Sequence, residues 1–429
     1  MNFQLVRSDF LRPACILLAL SFANAIAGAA DSITPSPNLP ATSPWNLERL
    51  SQVPSFKWED EAAPVRSILY EGEPYGGKPT RVFAYYATPQ TLAGTPAAKP
   101  HSLPGIVLVH GGGGTAFREW AEIWAKRGYA AIAMDLTGHR PTEGKDANQK
   151  ENRTALPDGA PAMDDPAMFA DVEKAPGEQW SYHAVADAIR AHSLLRSFPE
   201  VDPDRTALTG ISWGGYLTCI TAGVDSRFKA AVPVYGCGFL GDNSAWLDRL
   251  NKMTPAQRER WITLWDPSRY LPAVTMPILF VNGTNDFAYP LDSYMKSYAA
   301  VPGTKQMCVT VNMPHSHQAG WAPKEIGIYI DSILLGGKPL PKLGTPETKD
   351  GKVRALCASP LKIARAGLHF TTGTGPINKR DWVTKDAEIG EGVIRADAPP
   401  ADATAWFMTA TDERDATAST TVWLRKSGD

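Results

Sequence analysis

Ser212 lies between glycines in the segment GISWGGYLT, which runs from Gly210 to Thr218. A strand-like apolar run precedes the segment and helix-forming residues follow it, so we expect the serine on a sharp strand-to-helix turn. Such a turn exposes the serine hydroxyl to a substrate, although a glycine-rich turn can also do no more than pack a helix against a sheet. The pattern raises the hypothesis of a nucleophilic serine.

Two other segments carry side chains that could activate this serine. A serine hydroxyl is a weak nucleophile at neutral pH and needs a nearby base, which an acid in turn orients. Asp286 follows the apolar run PILFVNG, whereas His315 and His317 follow the run KQMCVTVN. Serine, acid and histidine occur in the chain order expected for a nucleophile on such a turn. We therefore predict Asp286 as the acid and favour His317 over His315 as the base, with His315 fixing the loop.

A reaction through a serine also needs hydrogen-bond donors for the developing oxyanion. The backbone N–H of Trp213, directly after the serine, is the first candidate. The second is an N–H of Gly112 or Gly113 in the turn HGGGG (110–114), where glycines allow close backbone approach. A phosphate-binding loop is the alternative, but the turn lacks the P-loop lysine and the G-x-G-x-x-G spacing.

Further residues at predicted strand ends could bind a substrate. His139 and Arg140 lie in a loop after a buried strand, and loops at strand ends carry function. Trp246 lies in an insertion whose aromatic residues could form a shelf for a sugar ring. The pair His315 and His317 could instead bind a metal, but no third ligand is evident, so we predict no metal site.

The elements that must position these residues alternate along the chain. Two β-branched and aromatic runs after Arg66 predict a hairpin, and fully apolar strands alternating with helices follow. This order predicts a mostly parallel, doubly wound sheet covered by helices on both faces. After Gly337 apolar and polar residues alternate between turn signals, which predicts a small antiparallel β domain. The predicted organisation is a signal peptide (1–30), an extended segment (31–64), a catalytic α/β domain (65–337) with insertions 141–177 and 242–274, and a sandwich-like β domain (345–429).

The N-terminus predicts export. Arg7 and Arg12 precede the apolar run CILLALSFANAIAGAA, which ends in small residues suited to cleavage by a signal peptidase. The run is shorter than the ~20 residues that span a bilayer, so we expect no membrane span after cleavage and a periplasmic or extracellular location. Export permits disulfides, but buried thiols fit the apolar surroundings of most remaining cysteines, which are Cys219, Cys237, Cys308 and Cys357.

The charge balance excludes some partners. The chain has 43 basic and 45 acidic residues and a net charge of −2, with no basic block. Nucleic-acid binding is therefore not expected.

Three motifs resemble one superfamily. VDPDRTALTGISWGGYLT resembles the nucleophile segment of the prolyl oligopeptidase-type and acetyl xylan esterase-type branches of the α/β-hydrolase superfamily, related to dienelactone hydrolase. VNGTNDFAYP resembles the acid turn of these branches, and HGGGG resembles their oxyanion turn. The resemblance spans most of residues 65–337. It implies the α/β-hydrolase fold, a covalent acyl-enzyme and no cofactor, with Ser212 as nucleophile, Asp286 as acid and His317 or His315 as base.

The segment HSHQ departs from the single His-Gly usual in these branches, so the identity of the base stays open. Prolyl oligopeptidase-type peptidases carry an N-terminal propeller, and fewer than about 80 residues lie between the predicted signal peptide and the predicted parallel strands, which are too few for one. We therefore expect a serine carboxylesterase, and the resemblance favours carbohydrate esters as substrates. The alternatives are a serine peptidase without a propeller and an inactive hydrolase fold that binds carbohydrate.

Overall fold

The apolar runs of the sequence become the inner strands of one large sheet in the computed structural model, which describes Met1, residues 32–163 and residues 167–425. The predicted signal peptide lies outside the described residues, except for Met1. The strands are, in chain order, β1 (Phe56–Asp60), β2 (Arg66–Glu71), β3 (Arg81–Ala87), β4 (Leu103–Val109), β5 (Ala130–Met134), β6 (His139–Pro141), β7 (Arg153–Ala155), β8 (Val201–Ile211), β9 (Ala230–Val234), β10 (Ile278–Gly283), β11 (Lys305–Thr310), β12 (Lys342–Leu343), β13 (Glu347–Lys349), β14 (Lys352–Ala358), β15 (Ile363–Thr371), β16 (Val383–Asp386), β17 (Glu388–Gly390), β18 (Val393–Asp397), β19 (Ala405–Asp412), β20 (Thr417–Ser419) and β21 (Trp423–Leu424).

Helices lie between the parallel strands, as the alternating sequence pattern predicts. Helix α6 follows the candidate nucleophile and is buried along its whole length. The helices are α1 (Leu47–Ser51), α2 (Pro89–Ala93), α3 (Arg118–Lys126), α4 (Ala167–Ala170), α5 (Trp180–Ser197), α6 (Trp213–Val224), α7 (Leu247–Asn251), α8 (Pro255–Trp265), α9 (Leu291–Ala300), α10 (His317–Trp321) and α11 (Lys324–Leu334).

The sheet topology places the candidate residues at one edge. The order of the first strands is β1-β2-β3-β5-β4-β8-β9-β10-β11. β1, β2 and β3 pair antiparallel, whereas β4, β5, β8, β9, β10 and β11 pair in parallel. The predicted hairpin followed by a parallel α/β sheet is thus confirmed. The carboxyl ends of parallel strands share one edge, and ligands bind outside that edge in such sheets.

The C-terminal strands form a sandwich that shares a sheet with the α/β unit. β12, β13, β14, β17 and β18 form a separate small sheet, whereas β20, β19, β15 and β16 continue the large sheet beyond β11. Val353 and Ile394 of the small sheet pack against Leu368 and Met408 of the large one in a second apolar core. The sequence predicts an antiparallel β module here, but not that β20 pairs with β11 through Ser419 and Met307.

The segment before residue 65 is more ordered than the predicted extended lead-in. Trp45 is buried and its ring contacts Tyr182 and Trp265, while its indole N–H donates to the Tyr182 carbonyl. Helix α1 follows, and β1 adds an edge strand to the sheet. The apolar pattern between the prolines of this segment is too short to predict α1 or β1.

Both insertions are folded against the α/β unit. The second contains α7 and α8, as its helical pattern predicts, and Trp261 and Trp265 are buried there. The first pairs β7 with β6 as a hairpin, and the Arg153 guanidinium donates to the Gly114 carbonyl. The first insertion therefore contacts the glycine-rich turn directly.

The cysteines of the described chain are buried free thiols, at positions Cys219, Cys237, Cys308 and Cys357. Burial raises the pKa of the Cys219 thiol well above its ordinary value, which keeps this thiol protonated. No helix in the described ranges combines the length and the apolar character needed to cross a bilayer.

Candidate active site

Ser212 occupies the predicted strand-to-helix turn. β8 ends at Ile211 and α6 begins at Trp213, so the serine is the single residue between them. Its φ of 58° and ψ of −117° are rare for a residue other than glycine. Its N–H donates to Val234 at 2.9 Å, and its carbonyl accepts from Tyr216 at 2.9 Å. These bonds hold a strained backbone that presents the side chain above the sheet edge.

The glycine at position 214 allows α6 to pass close to β4. A Cβ at this position would lie 2.0 Å from the Val109 carbonyl oxygen, which is fixed in the sheet. Any side chain would push the helix and the serine turn away from the strand.

We expect Gly214→Ala to destabilise the protein by about 3 kcal/mol, because the added methyl group overlaps rigid backbone. Urea unfolding followed by tryptophan fluorescence measures the change. The matched control is Gly177→Ala, where a Cβ meets no atom within 4 Å, and its unfolding midpoint should stay close to the parent value. Equal midpoints for both variants would contradict the prediction.

His315 lies between Ser212 and Asp286. Its Nε2 is 2.9 Å from Ser212 Oγ, and its Nδ1 is 2.6 Å from Asp286 Oδ2. The Asp286 carboxylate is buried, and its Oδ1 accepts from the backbone N–H groups of Ala288 and Tyr289. An acceptor on Nδ1 keeps the proton there, so Nε2 is free to accept the serine proton. The three side chains thus form the geometry of a nucleophile, a base and an orienting acid.

Two aromatic rings hold the His315 imidazole in this position. Tyr235 stacks on it with centroids 4.3 Å apart, and Phe287 contacts it at 4.9 Å. The Tyr235 hydroxyl donates to the carbonyl of Pro314, which fixes the start of the loop. The side chain of His315 keeps 14% of its surface exposed, so a substrate can approach the ring.

His317 occupies a different place, and the preference for His317 over His315 as the base is wrong. Its Nε2 accepts a hydrogen bond from the Gly111 N–H at 3.0 Å, instead of facing Ser212. Ser316 caps α10 at the Ala319 N–H, and this cap starts the helix at His317. His315 lies in the loop before the cap. The two histidines therefore bond to different groups, His315 to Ser212 Oγ and His317 to the Gly111 N–H.

His317 remains neutral in this position. Burial, followed by the neighbouring His110, lowers the pKa of His317 to about 3. The two histidines of the HSH segment thus serve different partners. In the described parts of the chain, no three His, Cys, Asp or Glu side chains gather as a metal-ligand set.

A second histidine holds the next peptide group, on the other side of the same glycine. His110 Nδ1 lies 2.7 Å from the Gly111 carbonyl oxygen, and its Nε2 accepts from the Leu136 N–H. Gly111 is thus bound at its N–H by His317 and at its carbonyl by His110. The carbonyl and the following N–H of a trans peptide point in opposite directions. His110 therefore turns the Gly112 N–H away from itself.

The predicted oxyanion residues lie beside the serine. Gly112 lines the same cleft as Ser212, and its Cα faces Met163 and Trp213. Trp213 is the first residue of α6, so its N–H has no acceptor within the helix. Gly113 has a φ of +80° and completes the turn. Gly112 and Trp213 therefore each carry a backbone N–H beside Ser212.

A small cleft of about 230 Å³ opens at Ser212, and we call it the Ser212 cleft. Sequence reasoning did not single out its other polar residues, Asn148 and Gln318. Asn148 lies in the polar insertion, where no periodicity marks it, and Gln318 gave no signal except its place beside the histidines. The lining residues are Gly112, Asn148, Ile211, Ser212, His315, Ser316, His317 and Gln318.

The three predicted substrate-binding residues lie apart from this cleft. His139 starts β6, and its Nδ1 is 2.6 Å from the Thr137 carbonyl oxygen, so it braces its own loop. Arg140 pairs with Glu59, with Nη1 3.1 Å from both carboxylate oxygens. Trp246 is half-buried and packs on the Trp213 ring at 4.4 Å. None of the three is among the residues that line the Ser212 cleft.

Two family models match the chain. The acetyl xylan esterase family (AXE1) matches residues 59–259, which include the glycine-rich turn and the serine turn. The family of PhoPQ-activated pathogenicity-related protein matches residues 248–366, which include Asp286 and His315.

Solved structures share the architecture described above. An acetyl xylan esterase from Paenibacillus sp. R4 aligns with a TM-score of 0.52 at 21% identity, covering 66% of this chain and 90% of that one. The chain has the α/β-hydrolase fold. Acetyl xylan esterase 1 from Thermoanaerobacterium sp. JW/SL YS485 also aligns with this chain, at 16% identity and a TM-score of 0.47, covering 62% and 84% of the two chains.

A curated relative extends the similarity to sequence. The chain is 25% identical over 204 residues to acetyl esterase Axe7A from Xylanibacter ruminicola. The match covers 44% of this chain and 43% of the relative, so it spans less than half the length of that protein. The predicted resemblance to the acetyl xylan esterase branch of the superfamily is confirmed.

Proposed function

We propose that this α/β-hydrolase is a serine-dependent carboxylic ester hydrolase that removes short acyl groups, such as acetyl, from carbohydrates. One observation carries the proposal. His315 joins Ser212 Oγ at 2.9 Å to Asp286 Oδ2 at 2.6 Å, beside the N–H groups of Trp213 and Gly112. This arrangement supplies a nucleophile, a base, an orienting acid and an oxyanion site within one cleft.

The reaction begins with attack of Ser212 Oγ on the ester carbonyl carbon, as His315 Nε2 takes the serine proton. The tetrahedral oxyanion accepts hydrogen bonds from the Trp213 and Gly112 N–H groups, and losing one such donor costs about 2.7–4 kcal/mol of barrier. Asp286 stabilises the imidazolium. The bond to the alcohol then breaks, and His315 returns the proton to the alcohol oxygen.

The second half releases the acid. Water enters the place of the alcohol and gives a proton to His315 Nε2 as its oxygen attacks the acyl carbon of the acyl-enzyme. Collapse of the second tetrahedral species breaks the bond to Ser212 Oγ, which regains its proton from His315. The products are a carboxylic acid and the free serine.

The size of the cleft and the family match support the substrate class. The Ser212 cleft has a volume of about 230 Å³, and the side chains of Met163 and Trp213 lie close to Gly112, so the cleft suits a short acyl group. The matched family and the curated relative act, by their names, on acetyl esters. The predicted signal peptide supports action outside the cytoplasm, where polysaccharides occur.

We expect a fluorophosphonate probe to label wild-type protein once, at Ser212, because only an activated serine reacts rapidly. Intact-mass and peptide mass spectrometry locate the label. Ser212→Ala should not label and should not hydrolyse p-nitrophenyl acetate, whereas the control Ser102→Ala, at the opposite end of the sheet, should behave as wild type. Labelling or turnover that survives in Ser212→Ala would refute the proposed nucleophile.

A further inference from the structure

A second cleft lies on the same side of the sheet edge as Ser212. The hairpin of β6 and β7 overhangs the antiparallel strands β1, β2 and β3 and encloses about 900 Å³, compared with about 230 Å³ at Ser212. We call this space the hairpin cleft. Tyr85 and Phe83 from β3 and Arg118 from the start of α3 contribute to its wall.

The strand order gives the separation of the two clefts. The Phe83 carbonyl accepts from the N–H of Asp135, the residue that follows β5, so Phe83 lies at the edge where the parallel strands end. From β3 the order is β5, β4 and then β8, which Ser212 follows. Three strand spacings of about 4.8 Å place the clefts roughly 14 Å apart across the sheet. A ligand that fills both must be an extended molecule.

The two clefts share one dividing segment. Asn148 lines the Ser212 cleft, and the preceding residue, Ala147, lines the hairpin cleft. On the other side, the glycine-rich turn leads from Gly112 in the first cleft to Ala116 in the second. The clefts are therefore neighbours divided by this segment and the glycine-rich turn, which the bond from Arg153 to the Gly114 carbonyl joins, so a ligand that occupies both must pass over the division.

The charges of the hairpin cleft are balanced in number, and one acid and one base among them form an ion pair. Arg140 binds both carboxylate oxygens of Glu59 at 3.1 Å, and the Arg118 guanidinium lies 5.2 Å from the centroid of the Tyr85 ring. Paired charges give no net attraction to an ionic ligand, but they still offer donors and acceptors. The three acidic and three basic lining residues are Glu59, Asp60, Glu143, Arg118, Arg140 and Lys145.

We infer that the hairpin cleft binds the uncharged oligosaccharide part of the substrate while an acyl ester on that chain reaches Ser212. The wall combines a half-buried tyrosine with fixed donors and acceptors, which suits a ligand rich in hydroxyl groups and without charge. The Ser212 cleft is too small to hold several sugar rings together with the acyl group. This inference rests on the proposed ester hydrolysis and assigns the hairpin cleft as the place of the sugar chain beyond the ester.

The test compares acetylated xylo-oligosaccharides of one to five sugar units with p-nitrophenyl acetate. We expect kcat/KM of the wild type to rise at least tenfold from one unit to five, because added units reach the hairpin cleft. The rise should be smaller in Arg140→Ala and in Tyr85→Phe. The measured quantity is the ratio of kcat/KM for the longest oligosaccharide to kcat/KM for p-nitrophenyl acetate. This ratio should fall at least fivefold in Arg140→Ala and at least twofold in Tyr85→Phe. The matched control is Arg354→Ala, which breaks an exposed pair with Glu347 in the C-terminal module and should keep the wild-type ratio.

A second measurement separates binding from catalysis. Calorimetric titration of Ser212→Ala with unacetylated xylopentaose should show binding that Arg140→Ala weakens at least fivefold, and xylose should bind too weakly to detect. A kcat/KM independent of chain length, or an oligosaccharide bearing carboxylate groups that binds more tightly than the neutral one, would overturn the inference. Failure of the wild type to hydrolyse any ester would instead refute the proposed function, while the titration would still decide the cleft.

Discussion

Alanine in place of His315 is expected to lower kcat for p-nitrophenyl acetate by a factor on the order of 10⁴ to 10⁶, with little change in KM. The imidazole is the group that can take the Ser212 proton, since its Nε2 lies 2.9 Å from Oγ and Asp286 holds its Nδ1. Without it the hydroxyl stays protonated during attack. Steady-state rates, corrected for spontaneous hydrolysis, measure the loss.

The control for this variant is another histidine with two hydrogen bonds. His369 binds Thr384 and Thr409 in the C-terminal module, and His369→Ala should retain kcat within about twofold. More than one per cent of wild-type kcat in His315→Ala would contradict the role of this residue. A larger loss in His317→Ala than in His315→Ala would restore the base predicted from the sequence.

Replacement of His317 by leucine is expected to lower kcat by about 10- to 100-fold and to leave KM nearly unchanged. The loss is smaller than the roughly 10²- to 10³-fold cost of deleting an oxyanion donor, because His317 acts through the Gly111 peptide rather than on the substrate. Leucine removes the acceptor for the Gly111 N–H and leaves this buried donor unpaired. The turn can then rotate, which misdirects the Gly112 N–H.

A glutamine at position 317 tests this positioning role. Its side-chain oxygen can replace Nε2 as the acceptor, so His317→Gln should regain most of the kcat that the leucine variant loses. A trifluoromethyl ketone inhibitor, whose serine adduct places an oxyanion at the same donors, should bind the leucine variant more weakly in proportion to kcat. Equal kcat in the leucine and glutamine variants would show that the ring only fills space.

The same residue makes stability depend on pH. Burial lowers the pKa of His317 to about 3, below its ordinary value of about 6.5 in an unfolded chain. The unfolded chain therefore binds more protons between these values, so the free energy of unfolding falls as pH drops below about 6.5. Urea unfolding at pH 7 and pH 5 should show a loss of roughly 1–2 kcal/mol from this group, and the loss should be absent in His317→Leu.

The sequence was sufficient for the parts of the fold that depend on local pattern. β4 and β5 are apolar throughout, β10 is apolar except for Asn282, and all three are buried, so their runs predict inner strands. Ser212 directly follows a parallel strand, and Asp286 lies in the turn after another. Both could be placed from the sequence because the carboxyl ends of parallel strands lie at one edge of the sheet.

Other features depend on contacts that local pattern does not encode. His315 lies before α10, whereas His317 is the first residue of that helix. The Ser316 side chain fixes this boundary because it caps the helix. The pairing of β20 with β11 joins residues more than 100 positions apart, and alternation in a strand does not identify its partner. Asn148 reaches the Ser212 cleft through the folded insertion, whose polar sequence predicts only a long connection.

The pairing of β20 with β11 also gives the C-terminal module a structural role for the α/β unit. β11 has β10 on one side and β20 on the other, and the Val309 N–H donates to the Ser419 hydroxyl. A chain cut after the α/β unit would expose the edge of β11 at Met307 to Val309, which are buried in the folded chain, and an exposed strand edge favours self-association. The C-terminal module therefore covers a strand edge that would otherwise favour self-association. It cannot be removed without exposing that edge.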